Sequence, residues 1–213
     1  MEREQDRQAK NAIVDIGKRM YQKNFVAAND GNISYRVGNL IWMTPTGVSK
    51  GFLTEDMLIL MDLEGRVVAG ERAPSSEAGM HLRVYRENPE VFGVVHAHPP
   101  AATAFAIART PLDEPLYPEA LVNLGSIPVA PYATPGTPQV PESIAPFCKG
   151  YKGVLLANHG LLTWGKTLLE GWYRMESAEQ FARIQLYVRQ LGGGIALTDE
   201  QIEKLSGPIA FRE

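Results

Sequence analysis

The chain has 213 residues, 45% of them hydrophobic and 21% charged, with a formal net charge of −3. That length suits one domain with a substantial core, spanning residues 1–213, and the balanced charge offers no basic stripe for nucleic acid and no charge block for a membrane surface. No stretch approaches the roughly 20 apolar residues of a membrane span, and the charged start MEREQDRQAK has no signal-peptide core, so the cytoplasm is the expected location.

Up to about Lys23, Ala9, Ile13, Ile16 and Met20 recur at helical spacing between charges, which predicts an amphipathic helix. NDGNISYRV then supplies turn residues followed by Ile33, Tyr35 and Val37 in alternation, a strand. LIWMTP is a second strand, stopped by Pro45, and MLILMDL a third. Between them, TPTGVSKGFLTED is a loop ending in a helix start at Thr54. After the loop GERAPSSE, Met80, Leu82, Val84 and Tyr85 carry a helix as far as Asn88-Pro89. FGVVHAH is a short apolar strand, and PPAATAFAIA a helix with proline in its first turn. SIPVAPY, GVLLANHG and LLTWG add strands. The single cysteine, Cys148, excludes an internal disulfide, suits a reducing compartment, and reads as a small buried hydrophobe. TLLEGWYRMESAEQFARIQLYVRQL is the longest helix, closed by Gly192 to Gly194, and TDEQIEKL is a last short helix capped by Thr198. The irregular alternation favours a mixed or mostly antiparallel sheet covered by helices.

Within VVHAHPP, His96 and His98 occupy alternate strand positions and so share a face, roughly 6.6 Å apart along the strand. A bare His-x-His is more often structural than metal-binding. His159, in the tight turn of LLANHGLL, supplies a third imidazole at a strand end, with Gly160 as the residue that frees the backbone to aim it inward. Three histidines leave an open position for water or substrate, the pattern of a catalytic site. Without cysteine ligands, zinc is the first expectation, then manganese or cobalt. His81, four residues after Glu77 on a predicted helix, reads as a packing or outer-sphere group.

Three loops have the makings of an anion seat. AANDGNIS offers Asn29, Gly31 and Asn32; TPTGVSK offers Thr46 and Gly47; PSSE places Ser75 and Ser76 at a helix start, where free N–H groups favour a phosphate. Each is also an ordinary turn or cap. Glu77 follows the two serines and fits three roles: ligand, general base, or helix N-terminal charge. Walker and dinucleotide-binding glycine patterns are absent.

In order along the chain, GN-x-S, TPTG, PSSE, HAHP and ANHG resemble the class II aldolase/adducin family, and within it the fuculose-1-phosphate aldolases, from about residue 10 to 205. The resemblance implies an α/β/α three-layer sandwich around a mostly antiparallel sheet. It further implies a homotetramer with active sites between subunits. Position by position, His96, His98 and His159 match the zinc ligands and Glu77 the acid/base. Asn29, Asn32, Thr46, Gly47, Ser75 and Ser76 match the phosphate pocket. Tyr117 matches a tyrosine that enters the neighbouring subunit's site and handles the proton of the aldehyde oxygen. Asn29 stands where the fuculose enzymes have threonine, and the end SGPIAFRE lacks their tail tyrosine, which leaves the aldehyde half of the substrate open.

The implied activity is metal-dependent, reversible cleavage of a ketose 1-phosphate to dihydroxyacetone phosphate and an aldehyde. The resemblance is to the fuculose-1-phosphate enzymes, with a 5-deoxy- or methylthio-pentulose phosphate open as the substrate. A ribulose-5-phosphate 4-epimerase of the same family typically has aspartate at the place of Glu77. Methylthioribulose-1-phosphate dehydratases and sugar-acid phosphate decarboxylases share the metal and phosphate geometry and stay open as alternatives. A non-catalytic domain of adducin-head type has no need of three histidines and Glu77. Schiff-base chemistry is disfavoured, because Lys50 and Lys166 read as lacking the apolar surroundings it requires.

Overall fold

The N-terminal segment winds into helix α1 (Glu4–Gln22), whose stripe of Ala9, Ile13, Ile16 and Met20 is buried against the sheet. In this computed structural model, which describes residues 3–206, strands β1 (Asn32–Val37) and β2 (Leu40–Met43) form a tight hairpin. Strands β3 (Ile59–Asp62) and β4 (Val67–Ala69) continue it as an antiparallel meander. Then come α2 (Ala78–Glu87), β5 (Gly93–Ala97), α3 (Pro100–Ala108) and α4 (Pro118–Asn123). The chain ends through β6 (Val129–Ala130), α5 (Gln139–Ile144), β7 (Gly153–Leu156), β8 (Gly160–Gly165), α6 (Leu168–Gln190) and α7 (Asp199–Ser206).

Among the described residues the strands make one eight-stranded sheet in the order β4-β3-β2-β1-β5-β8-β7-β6. Every neighbouring pair is antiparallel except β6 with β7. The period-two alternation of the central strands divides their side chains between two helical layers. Ile33, Val95 and Ala97 pack with α1, α3 and α6 on one face. Val94, Leu162 and Trp164 pack with α2 and α5 on the other. The result is the three-layer α/β/α sandwich that the family resemblance implies. Trp164 and Trp172, one in each layer, are fully buried.

Three expectations shift in detail. The Thr54 helix start yields only a 3-10 turn, Glu55–Met57, because Leu58 already enters the extended path to β3. SIPVAPY shrinks to the two residues of β6, its prolines having no N–H to give a ladder. Strand β4 and helices α4 and α5 were not expected; Val67 and Val68 lie exposed on an edge strand and so show no buried alternation. Cys148 is buried as expected, and burial pushes its thiol up to about 12. The stretch 207–213, where the missing tail tyrosine was noted, lies outside the described residues. No helix among the described residues is long and apolar enough to cross a membrane.

Candidate metal centre

Strand β5 carries His96 on the α2 face, opposite Asn32 of β1 and Leu162 of β8. The ring is fully buried. Its Nδ1 lies 3.0 Å from the carbonyl of Leu161, so Nδ1–H donates there and Nε2 is left bare. His98 comes one residue after the strand ends, and its backbone N–H donates to the carbonyl of Phe25 at 2.9 Å, which fixes the corner. Its Nδ1 lies 3.5 Å from Asp30 Oδ2. His159 sits in the turn from β7 to β8, with its N–H on the carbonyl of Leu156 at 2.9 Å.

The turn achieves this differently from the expected way. Asn158, not Gly160, takes the left-handed backbone, with φ of 58°. Gly160 is needed for close approach instead: a Cβ there would stand 2.6 Å from the Ala97 carbonyl oxygen and 2.6 Å from His98 Cδ2.

The three rings converge, with centroids 4.8 to 5.1 Å apart, and one ring nitrogen from each falls within 4.8 Å of the others. Burial first, then the neighbouring imidazoles, holds His96 well below its usual pKa; burial also lowers His159, against the pull of Glu77. Neutral imidazoles are the form that binds metal. His96 Nε2 and His98 Nε2 are buried without hydrogen-bond partners, an arrangement costing about 1–3 kcal/mol per atom when nothing fills it. Bare inward nitrogens, with Nδ1 of His96 on a carbonyl and Nδ1 of His98 facing a carboxylate, fit a divalent ion and its outer sphere.

Glu77 stands at the N-terminal boundary of α2. Its Oε1 lies 3.2 Å from His159 Nε2 and its Oε2 3.4 Å from His96 Nε2. Oε2 accepts from Asn32 Nδ2 at 2.8 Å, while Oε1 is buried with no hydrogen-bond donor.

The three anion loops, distant in sequence, are brought together by two ties. A bridge between Pro45 and Pro74, with Thr46 N–H on the Ala73 carbonyl at 3.1 Å, sets TPTG against PSSE. Lys50 Nζ donates to the carbonyls of Asn29 (2.9 Å) and Val48 (2.6 Å), joining NDGN to TPTGV. Gly47 takes φ of +72° with open space around it, and Asn29, Thr46 and Ser76 are exposed. The Ser75 hydroxyl accepts from Glu77 N–H at 3.2 Å, so the capping role and the loop position coexist.

Tyr117 does not join this group. It precedes α4 and packs edge-on against Phe181 at 5.7 Å, in the α6 layer on the opposite face of the sheet.

Two residues escaped the sequence reading. Asp30 lay inside NDGN and looked like part of a turn; its approach to His98 depends on the β1–β5 pairing. Lys50 was noted only as a lysine lacking the apolar surroundings of a Schiff-base nucleophile. It is buried, and burial lowers its pKa to about 8 against the opposing charge of Asp30. Its ammonium is nevertheless committed to two backbone carbonyls.

Residues 11–186 match the Class II Aldolase and Adducin N-terminal domain family. A 3-oxo-tetronate 4-phosphate decarboxylase of Haemophilus influenzae is 34% identical over 203 residues, covering 92% of this chain and 95% of that protein. An L-fuculose phosphate aldolase of Methanococcus maripaludis is 33% identical, covering 84% of this chain and 97% of its own. A solved L-fuculose 1-phosphate aldolase superposes with a TM-score of 0.87 at 33% identity, over 93% of this chain and 94% of that one.

Proposed function

The chain belongs to the class II aldolase and adducin N-terminal domain family, and on that premise we propose that it reversibly cleaves a ketose 1-phosphate to dihydroxyacetone phosphate and an aldehyde. His96, His98 and His159 hold a divalent ion, zinc first, with manganese or cobalt as substitutes. Asn29, Asn32, Thr46, Gly47, Ser75 and Ser76 seat the phosphate, and Glu77 carries the proton. The observation that supports this reading most is the placement of Glu77. Its carboxylate reaches two of the converging imidazoles, Oε1 to His159 and Oε2 to His96, Oε1 has no hydrogen-bond donor, and its backbone follows directly on the Ser75-Ser76 loop.

When bound, such an ion supplies Lewis acidity to a ketose carbonyl and its neighbouring hydroxyl. The phosphate loops fix the distance from phosphorus to the reacting carbon, so the substrate's C3 faces Glu77. In the cleavage direction the C3–C4 bond breaks, its electron pair stays with C3, and the proton on the C4 hydroxyl leaves. Glu77 then returns a proton to C3, giving dihydroxyacetone phosphate. In the synthetic direction Glu77 removes that same proton. Tyr117 of a neighbouring subunit, in a homotetramer, takes the C4 hydroxyl proton; its position away from its own histidines accords with service elsewhere.

A second reading is favoured by the Haemophilus influenzae relative: decarboxylation of a 3-oxo sugar-acid phosphate, with Glu77 protonating the carbon that loses CO2. One screen separates the two. Ketose 1-phosphates differing at the far end, and 3-oxo sugar-acid phosphates, are offered to the metal-loaded protein. Dihydroxyacetone phosphate and CO2 are measured together. Release of dihydroxyacetone phosphate from a ketose 1-phosphate is expected. CO2 release alone would replace the aldolase reading with the second, and neither product would remove both.

A further inference from the structure

Behind Glu77 runs a line of buried polar groups. Asn32 Nδ2 donates to Glu77 Oε2 at 2.8 Å, and Asn32 Oδ1 lies 2.6 Å from His81 Nε2. His81 Nδ1 lies 2.7 Å from Ser34 Oγ, which lies 2.7 Å from the Tyr85 hydroxyl. Asn32, Ser34, His81 and Tyr85 are all at most 2% exposed. Asn32 and Ser34 alternate on β1, and His81 and Tyr85 are one turn apart on α2, so both elements present this line to the same seam.

Donor and acceptor chemistry allows one direction along it. A carboxylate only accepts, so Asn32 must turn its NH2 to Glu77 and its carbonyl oxygen to His81. That oxygen cannot donate, so His81 Nε2 must carry a hydrogen. Burial lowers the His81 pKa to about 3, so the ring is neutral with that single proton, and Nδ1 must accept. Ser34 therefore donates to Nδ1, which leaves the Tyr85 hydroxyl, kept protonated by burial, to donate to Ser34 at 2.7 Å in preference to the Phe92 carbonyl at 3.3 Å. Each donor reinforces the next toward Glu77.

We propose that His81 is a positioning residue for Glu77: its Nε2–H tautomer locks the Asn32 amide so that one carboxylate oxygen is tied and the other stays free toward the histidines. The opposite tautomer would favour a flipped amide, setting a carbonyl oxygen against the carboxylate. The inference rests on the acid/base role proposed for Glu77, but the tautomer itself is independent of activity.

Nitrogen-15 NMR of the histidine-labelled full chain, metal-free and zinc-loaded, reads the tautomer directly. Protonated Nε2 and bare Nδ1 on His81 are expected, and protonated Nδ1 would overturn the proposal. In kinetics on the zinc-loaded protein, His81→Leu is expected to lower kcat about 10- to 100-fold with zinc content unchanged. His81→Gln, whose amide donates and accepts at the same two places, is expected to recover most of that loss. Wild-type kcat in a folded His81→Leu, or a His81→Gln as impaired as His81→Leu, would overturn it. If His81→Leu does not fold, the glutamine variant and the tautomer still decide. A wild-type protein without lyase activity would instead defeat the functional reading, and the kinetic role of His81 with it, whatever the tautomer.

Discussion

Gly160→Ala offers no new polar group and removes no ligand, yet it should weaken metal binding. The added Cβ would lie 2.6 Å from both the Ala97 oxygen and His98 Cδ2, and 3.4 Å from His96 Cε1. Ordinary contact begins at 3.4 Å, so His98 or the strand must give by about 0.8 Å. Metal sites tolerate about 0.2 Å in ligand distance, and the Ala97 oxygen belongs to a paired strand that cannot yield freely. Overpacking of this kind costs about 1–3 kcal/mol. If the strain falls on His98, zinc affinity drops about 10- to 100-fold. Titration of the chelator-stripped protein with zinc, in competition with a chromogenic chelator, measures this. Wild-type zinc affinity together with wild-type stability in Gly160→Ala would refute the assignment of close approach at this glycine.

Other outcomes follow from the same geometry. His96→Ala should lose stoichiometric zinc by elemental analysis and lose product formation; retained zinc and activity would remove His96 from the ligand set. Lys50→Met leaves the carbonyls of Asn29 and Val48 without their donor. A loss of about 1–3 kcal/mol is expected in thermal melts, with weaker binding of inorganic phosphate; wild-type values for both would deny the clamp. Stability should also fall on acidification. The unfolded chain protonates His81 near 6.5, whereas the folded ring resists until about 3. Between those values the unfolded state binds more protons, at a cost of up to about 1.4 kcal/mol per pH unit. Urea midpoints of the metal-free protein from pH 7 to 4 should therefore fall less steeply in His81→Gln, and identical slopes would contradict the neutral buried ring.

The periodic elements were legible because their signal is local. The stripe of α1 states which side is buried, the alternation of Ile33, Tyr35 and Val37 marks β1 as a strand, and the apolar run of β5 marks a strand buried on both faces. The histidines were legible because each stands at the end of such a run, and because PSSE, TPTG and GN-x-S recur together with them. What was not legible depends on contacts between distant segments. Asp30 meets His98 only because β1 lies beside β5, and Lys50 is buried only because α1 covers the turn it belongs to. His81 was recognised as a supporting group, but its direction of donation could be worked out only with Asn32, Ser34 and Tyr85 in place. Gly160 was singled out for the wrong reason: the turn's positive φ falls on Asn158, and the glycine answers a steric demand set by strand β5.

In the proposed reaction Glu77, beside an ion held by His96, His98 and His159, moves a proton on the carbon next to a ketose carbonyl. Proton NMR of dihydroxyacetone phosphate in deuterium oxide tests it without any knowledge of the aldehyde. Zinc-loaded wild type should exchange one C3 hydrogen stereospecifically. Stripped protein should not, and Glu77→Gln should bind zinc normally without exchanging. Exchange that survives chelation, or that proceeds at the wild-type rate in Glu77→Gln, would contradict the account.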